Sequence, residues 1–271
     1  MPIFSAGDLQ QLADCGYVVA RELVPKVLLR PAIDALCAFH GIDYDDPSTW
    51  YRAPPHSNGI IPVHQAQSFW DTRQHPAVHA AFAEILGTER LWVSMDRGSF
   101  KPPLSESHPE HRDSQLHWDY DIFRPAPLKL QGVLYLDDTP LDGGGFRCVS
   151  SIYRELPEWI PRQAKSKDPR RPALDGRRVT RVAGGAGDLV IWSSLLPHGS
   201  GINTSAKPRV AQYIGMDAEG SEPERAERVA CWQNRRAPEW WRGWPGQLDP
   251  EPGEPALLTP LGRKLVGLDR W

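Results

Sequence analysis

Near residue 90 the hydrophobic pattern of this chain changes its period, and that change constrains the fold more than any other feature of the sequence. Before it, apolar residues recur at helical spacing. In AGDLQQLADC (6–15) Leu9, Leu12 and Ala13 fall on one side of a helix, and Gly16 follows as a stop. A short strand, YVVARELVP, comes next. The spacing predicts a second helix over 25–40, with Pro25 in its first turn, and a third over 76–86 (PAVHAAFAEIL), closed by Gly87. From residue 91 the runs LWVSMDRGSF, LKLQGVLYLDDT, GDLVIWSS and RVAQYIGM are short, β-favouring and separated by Gly, Pro, Asp and Ser. In LKLQGVLYL, Leu128, Leu130, Leu134 and Leu136 share one face, while Lys129, Gln131, Val133 and Tyr135 share the other, the pattern of a half-buried antiparallel strand. Helices first and short strands after them predict a mainly β domain with flanking helices.

At 271 residues and 40% hydrophobic content the chain is long enough for a substantial core. We expect one domain over 1–271: a helical N-terminal part (1–90), a β core (91–217) and a Trp- and Pro-rich C-terminal extension (218–271) packed on that core. The net charge of −3, from 31 basic and 34 acidic residues, comes without a Lys/Arg block, so no footprint for nucleic acid is expected. The N-terminus lacks a basic start with an apolar core behind it, and no run of apolar residues is long enough for a membrane span. A cytoplasmic protein with no membrane partner is the expectation. Four separated cysteines without a CxxC fit reduced thiols. The polar, basic stretch 160–178 reads as an exposed excursion between strands, either a solvated loop or a lid. Oligomeric state is not legible.

The chemistry begins with QLHWDYD at 115–121. A histidine and an acid at i and i+2 on a strand point to the same side, so His117 and Asp119 can offer a ring nitrogen and a carboxylate oxygen to one ion. His198, at the end of the hydrophobic run LVIWSSLLPHGSG, is the natural third ligand. Two histidines and one carboxylate on one face of an octahedron leave open positions, the arrangement of non-haem Fe(II) oxygenases. On its own HxD is too short a pattern to carry this. The context is Arg209, which opens the apolar strand RVAQYIGM after a turn rich in Gly, Asn, Ser and Pro. With Ala211 and Tyr213 it should face one side, into the space beside His198, and a buried guanidinium needs an anionic partner. The missing anion is then a ligand.

Taken together, His117-x-Asp119, His198 and Arg209 resemble the iron(II)/2-oxoglutarate dioxygenases, and specifically their phytanoyl-CoA dioxygenase-like branch. The opening DLQQLADCGYVVARELVP, the FKPP of 100–103, the YLDDTPLDGGGFRCVSS run, the GDLVIWSSLLPHGSGINTS block and the tail LTPLGRKLVGLDRW resemble that branch too; residues 41–75 and 155–180 match least. The resemblance implies a double-stranded β-helix (a cupin-like jelly roll) with helices outside and Fe(II) held by His117, Asp119 and His198. It further implies 2-oxoglutarate on the iron with its far carboxylate on Arg209, Ser200 helping to hold that carboxylate, and O2 as the second co-substrate. Where relatives commonly read PGSHK after the Gly-rich turn this chain reads VSSIYR, near the family's substrate entrance, so the substrate does not carry over. Relatives that halogenate carry a small residue in place of the acid; Asp119 therefore implies hydroxylation or a related oxidation.

Several residues stand between a functional and an ordinary reading. Lys101 in FKPP either faces the site or flanks a strand end. Tyr120 and Asp121 adjoin the motif, but Asp121 opens the DIFRP turn and is suited to cap it. His108 and His111 are alternative ligands in a polar run that reads as solvated. Trp192 reads as core. The tail tryptophans either seal a helix against the barrel or mark a partner surface. Gly143, Gly144 and Gly145 lack the Lys-Ser/Thr ending of a phosphate loop and read as a turn. Arg97, Lys101, Arg147 and Arg154 lie in segments flanking the expected barrel mouth, which favours a small polar or anionic substrate. The function expected is oxidation of a small-molecule metabolite with release of succinate and CO2, secondary-metabolite tailoring being one setting. The alternatives are a non-catalytic jelly-roll binding or sensing protein, and a zinc hydrolase, which gives Arg209 no task.

Overall fold

Before residue 90 the described residues hold four helices: α1 (Ala6–Cys15), α2 (Lys26–Phe39), α3 (Gln67–Arg73) and α4 (Pro76–Leu86). The structure, a computed structural model, describes residues 2–53, 59–109, 115–124, 129–163, 168–171, 173–244 and 246–271. Ser5 and Asp8 close a reciprocal capping box at the start of α1, and Gly16 ends it in the left-handed region. Pro25 caps α2 from just outside, and Gly87 ends α4 as expected. No residue of α1 is fully buried, and Leu9 is exposed, so its apolar side is only half covered. Helix α3 has no counterpart in the sequence reading. In QSFWDTR both polar and apolar residues are buried, which erases an amphipathic stripe.

Among the described residues eight strands form one mostly antiparallel sheet: β1 (Tyr17–Ala20), β2 (Ile60–Ile61), β3 (Leu91–Val93), β4 (Gly98–Lys101), β5 (Leu130–Tyr135), β8 (Leu189–Ser193), β10 (Arg209–Tyr213) and β11 (Met216–Ala218). The order is β1-β8-β5-β10-β4-β2, and β3 joins through β11, which also pairs with β5. A three-stranded sheet faces it, with β6 (Phe146–Cys148) between β7 (Thr180–Arg181) and β9 (His198–Ser200). The sheets face each other without closing into one ladder, and the tyrosine of β5 ties them: Tyr135 accepts from Phe146 N–H and donates to Val182 O. This is the expected jelly-roll architecture with helices outside.

Alternation along the strands sorts the core into two layers. Leu130, Leu134, Leu189, Ile191, Val210 and Ile214 pack outward with Leu36, Phe69 and Phe82 of the helices. Val133, Tyr135, Val190, Trp192 and Ala211 point inward, against Phe146 and Cys148. Strand β5 is thus buried on both faces, not half-buried as its polar residues suggest, because helices cover one side and the smaller sheet covers the other. Leu128, counted on its apolar face, lies outside the described residues.

After β6 the VSSIYR departure folds into α5 (Ser150–Arg154), followed by α6 (Leu156–Trp159). Their Ile152, Leu156 and Trp159 build a satellite core with Leu116, Trp118 and Ile122, onto which Ala173, Leu174 and Val179 also pack. The basic excursion is therefore partly anchored: Arg170 O accepts from Trp118 N–H at 3.0 Å. Toward the C-terminus come α7 (Glu222–Gln233) and α8 (Pro260–Val266), the latter adding Leu265 and Val266 to the outer core. Trp271 Nε1 donates to Leu91 O and seals that end, whereas Trp240 is 73% exposed. The cysteines are free thiols. No helix among the described residues is long and apolar enough to cross a membrane.

Gly132 shows how closely β5 is packed by the chain after β10 and by Phe82 of α4. A Cβ there would lie 2.5 Å from Ile214 O and 3.2 Å from the Phe82 ring, and backbone cannot yield as a flexible side chain can. Gly132→Ala should destabilise the fold by about 1–3 kcal/mol through overpacking, read as a lowered Tm. Gly7→Ala, in α1 with no close neighbour, should be neutral or stabilising. Equal melting of the two variants would contradict this packing.

Candidate metal centre

The HxD segment is not a regular strand. Residues His117 and His198 form an isolated antiparallel bridge, His117 N–H to His198 O at 2.9 Å and His198 N–H to His117 O at 3.0 Å. Alternation does the rest: Leu116 and Trp118 are buried in the satellite core, which turns His117 and Asp119 to the opposite side, into the barrel. Trp118 Nε1 donates to Leu195 O, a second tie to the chain that carries His198.

One ligand atom from each of His117, Asp119 and His198 lies within 4.8 Å of the others. His117 Nε2 is 3.5 Å from Asp119 Oδ1, and His198 Nε2 is 3.6 Å from Asp119 Oδ2. Ligands on one octahedral face, with bonds of about 2 Å, sit about 3 Å apart, so a small contraction around an ion suffices. The tautomers fit as well. His117 Nδ1 lies 2.8 Å from Gln115 O and His198 Nδ1 lies 3.0 Å from Leu196 O. A carbonyl only accepts, so each Nδ1 carries the proton and each Nε2 presents its lone pair inward.

The local electrostatics favour the metal-ready protonation states. Burial lowers the pKa of His198, with Asp119 opposing, which keeps the ring neutral. For Asp119 burial works to raise the pKa, but the neighbouring His117 and His198 rings and the amide of Gln131 outweigh it and hold the carboxyl below its usual range. The side chain of Asp119 remains 45% exposed, at the open end of the barrel.

Gln131, on the face of β5 that it shares with Lys129, Val133 and Tyr135, joins the cluster although nothing in the sequence singles it out. It points inward, donates from Nε2 to Asp119 Oδ2 and accepts from Trp192 Nε1 at 3.1 Å. Trp192 is core, as read, and its ring centroid lies 5.0 Å from that of His198. Asp121 caps its turn by accepting from Phe123 N–H, and Tyr120 packs on the satellite core. His108 is stacked on Tyr51 rather than solvated, and it is not in the metal cluster; His111 lies outside the described residues.

Deeper in the barrel Arg209, Lys101 and Ser200 come together. Register pairs Arg209 with Lys101 across β10 and β4, and both side chains share the inner face with Ala211 and Ser99. Lys101 is 1% exposed, and its Nζ donates to Gly201 O at 2.7 Å and to Ser200 Oγ at 3.2 Å. Lys101 therefore faces the site. Arg209 is 4% exposed, and its Nε donates to Gly144 O at 3.3 Å. No carboxylate pairs with Arg209 among the described residues. Gly144 has a φ of 75° and packs on Asn203, so the triple glycine is a close-packed turn that presents a carbonyl to Arg209. Of the four basic residues expected at the mouth, Arg147 lies on the opposite face of β6 from the inward Phe146 and Cys148, and Arg154 is exposed on α5. Those two do not line the barrel.

Residues 13–211, well over half of the chain, match the phytanoyl-CoA dioxygenase (PhyH) family. The chain belongs to the phytanoyl-CoA dioxygenase family. It is similar to a Dictyostelium discoideum protein bearing the family's name, 26% identical over 220 residues, covering 64% of this chain and 62% of the relative. It is also similar to Ava biosynthesis cluster protein O of Aspergillus versicolor, 26% identical over 204 residues, covering 65% of this chain and 64% of that protein. The matched region thus spans less than two thirds of either relative's length. In fold the chain is similar to the epimerase SnoN, solved in complex with Fe3+, alpha ketoglutarate and nogalamycin RO: TM-score 0.56, 15% identity, 93% of this chain and 94% of that one.

Removal of either imidazole should lower divalent-metal affinity sharply without unfolding the chain, whereas Gln131→Leu, which frees Asp119 to turn, should cost about 10- to 100-fold. Anaerobic calorimetry with Mn(II) on His117→Ala, His198→Ala and Gln131→Leu measures this. Unchanged affinity in both histidine variants would contradict the site.

Proposed function

We infer that this chain is an iron(II)- and 2-oxoglutarate-dependent dioxygenase that oxidises a small-molecule metabolite. The observation that carries the reading is the buried Arg209, without a carboxylate partner among the described residues, beside a cluster of three metal-type donors. An unpaired buried charge costs several kcal/mol, so the cradle calls for an anion. Ser200, bound to Lys101, is two residues from His198 on β9, a separation of about 7 Å along a strand. That span suits a short dicarboxylate with one end on the metal and the other on the arginine.

His117 and His198 would hold the ion through Nε2, and Asp119 through one oxygen, with Gln131 keeping the other oxygen occupied. When bound, Fe(II) supplies O2 activation coupled to decarboxylation of the oxoacid to succinate and CO2. Arg209 fixes the far carboxylate bidentately, assisted by Lys101 and Ser200. Phe146 and Trp192 pack around His198 and exclude water from the inner side of the site. Family membership supports this reading. A relative named for a biosynthesis cluster and the fold likeness to SnoN support a role in secondary-metabolite tailoring.

The test is succinate formation from 2-oxoglutarate that requires Fe(II) and stops on chelation; metal-independent release, or none under any condition, would contradict the reading. Arg209→Ala should raise the KM for 2-oxoglutarate by at least tenfold, about 1.4 kcal/mol, and Arg209→Lys should recover only part, because it lacks the planar fork. A KM within about twofold of the unmodified enzyme, well under 1 kcal/mol, would move the anchor elsewhere. Asp119 fills the position that a halide would need, so mass spectrometry of products formed in chloride or bromide buffer should find oxidised and no halogenated product. A halogenated product with Asp119 intact would show that this carboxylate is not an iron ligand.

A further inference from the structure

Arg97 belongs to neither the metal site nor the anion cradle, yet it faces the same interior. Tyr213 N–H donates to Arg97 O at 2.9 Å, which extends the ladder between β4 and β10 one step beyond Gly98. Alternation then puts Arg97 on the inner side with Ser99 and Lys101. Its guanidinium carbon lies 3.4 Å above the ring of Trp241, 5.4 Å from the centre of Tyr213 and 5.9 Å from that of Trp244. Register places this cluster near the metal ligands: Tyr213 pairs with Val133, and the next inward residue of β5 is Gln131, which binds Asp119. One inward step is about 7 Å.

The hydrogen bonding of this cluster is incomplete. Nη1 of Arg97 donates to Asp96 Oδ1 at 2.5 Å, but Nε is buried and has no acceptor among the described residues. The indole Nε1 of Trp244 is likewise buried and unpartnered among the described residues, as are both ends of the Gln247 amide. Buried polar groups are almost always hydrogen-bonded, so several open ones beside an aromatic cluster mark a place where the partner comes from outside the chain. Asp96 occupies one side of the guanidinium, and the edge that carries Nε is an edge on which a carboxylate docks bidentately. Trp241, Trp244 and Tyr213 supply flat apolar surface around it.

We propose that Arg97, Tyr213, Trp241 and Trp244 form the subsite for the primary substrate, and that this substrate joins a carboxylate to an aromatic ring. The proposal rests on the dioxygenase reading for the identity of the reacting centre, but the subsite is defined by its own contacts. Aromatic stacking orients the ring, and Arg97 fixes the carboxylate so that the remainder of the molecule is presented toward Asp119 and the metal.

The probes are 2-naphthoate and its neutral analogue 2-naphthamide, titrated anaerobically by calorimetry into the Mn(II)-loaded protein with saturating 2-oxoglutarate. The naphthoate should bind saturably and the amide about tenfold more weakly. Arg97→Ala should weaken naphthoate by about tenfold or more and the amide by less than about twofold, with Arg97→Lys intermediate. Trp241→Ala should weaken both probes. Melting curves and Mn(II) affinity establish that each variant is folded. Raising 2-oxoglutarate further should leave naphthoate affinity unchanged, which separates this subsite from the anion cradle; competition between the two would overturn the subsite. Equal affinity for the two probes, no loss in Arg97→Ala, or no saturable binding would overturn the subsite. Absence of Fe(II)-dependent succinate formation in the unmodified enzyme would overturn the dioxygenase reading alone, since naphthoate binding is read without turnover.

Discussion

Two backbone hydrogen bonds between His117 and His198 hold together the part of the molecule on which the site depends. They join a short extended segment to β9 across a long stretch of sequence and bring the two imidazole rings to 5.0 Å between centroids. Because the bridge is backbone, it fixes where both side chains start, and the pleat fixes where they point. Trp118, fully buried in the satellite core, prevents the HxD segment from rotating: a turn about its axis would expose the indole and bury Asp119. The chemistry is positioned by an apolar side chain that takes no part in it.

The interior of the barrel is graded in charge from its open end inward. Asp119 sits at the mouth, held anionic by the imidazoles and the Gln131 amide. A layer of Val133, Val190, Trp192 and Phe146 follows. Beyond it are Lys101 and Arg209 from facing positions of adjacent strands. Two cations this close repel, and burial removes the water that would screen them. A dianion stretched from the mouth to this end would relieve both, and it would complete the coordination of an ion held by only three protein ligands. Backbone carbonyls hold the two cations of the cradle in place, Gly144 O for Arg209 and Gly201 O for Lys101.

Much of this was legible in the sequence, for physical reasons that can be named. Helices α1 and α4 announce themselves through glycines that stop them, and the HxD motif through the pleat. Arg209 stood out because an arginine opening an apolar strand needs a partner. What the sequence concealed was polarity inside the barrel. Gln131 shares its face of β5 with Lys129, Val133 and Tyr135, and alternation separates two faces without saying which is wet; it is polar because it serves Asp119 and Trp192. Helix α3 buries polar residues on tertiary hydrogen bonds, such as Thr72 Oγ1 to Gln212 Oε1, and so shows no stripe. Strands β6 and β9 are three residues each, too short for any period to register. The place of Arg97 depends on the register between β4 and β10, which only the folded chain reveals.

The most direct measurement is a crystal structure grown anaerobically with Fe(II) and 2-oxoglutarate, with the metal located by anomalous scattering. The prediction is one iron within bonding distance of His117 Nε2, His198 Nε2 and one oxygen of Asp119, with 2-oxoglutarate running inward to a bidentate contact on Arg209. Iron bound elsewhere, or 2-oxoglutarate with its far carboxylate away from Arg209, would contradict it.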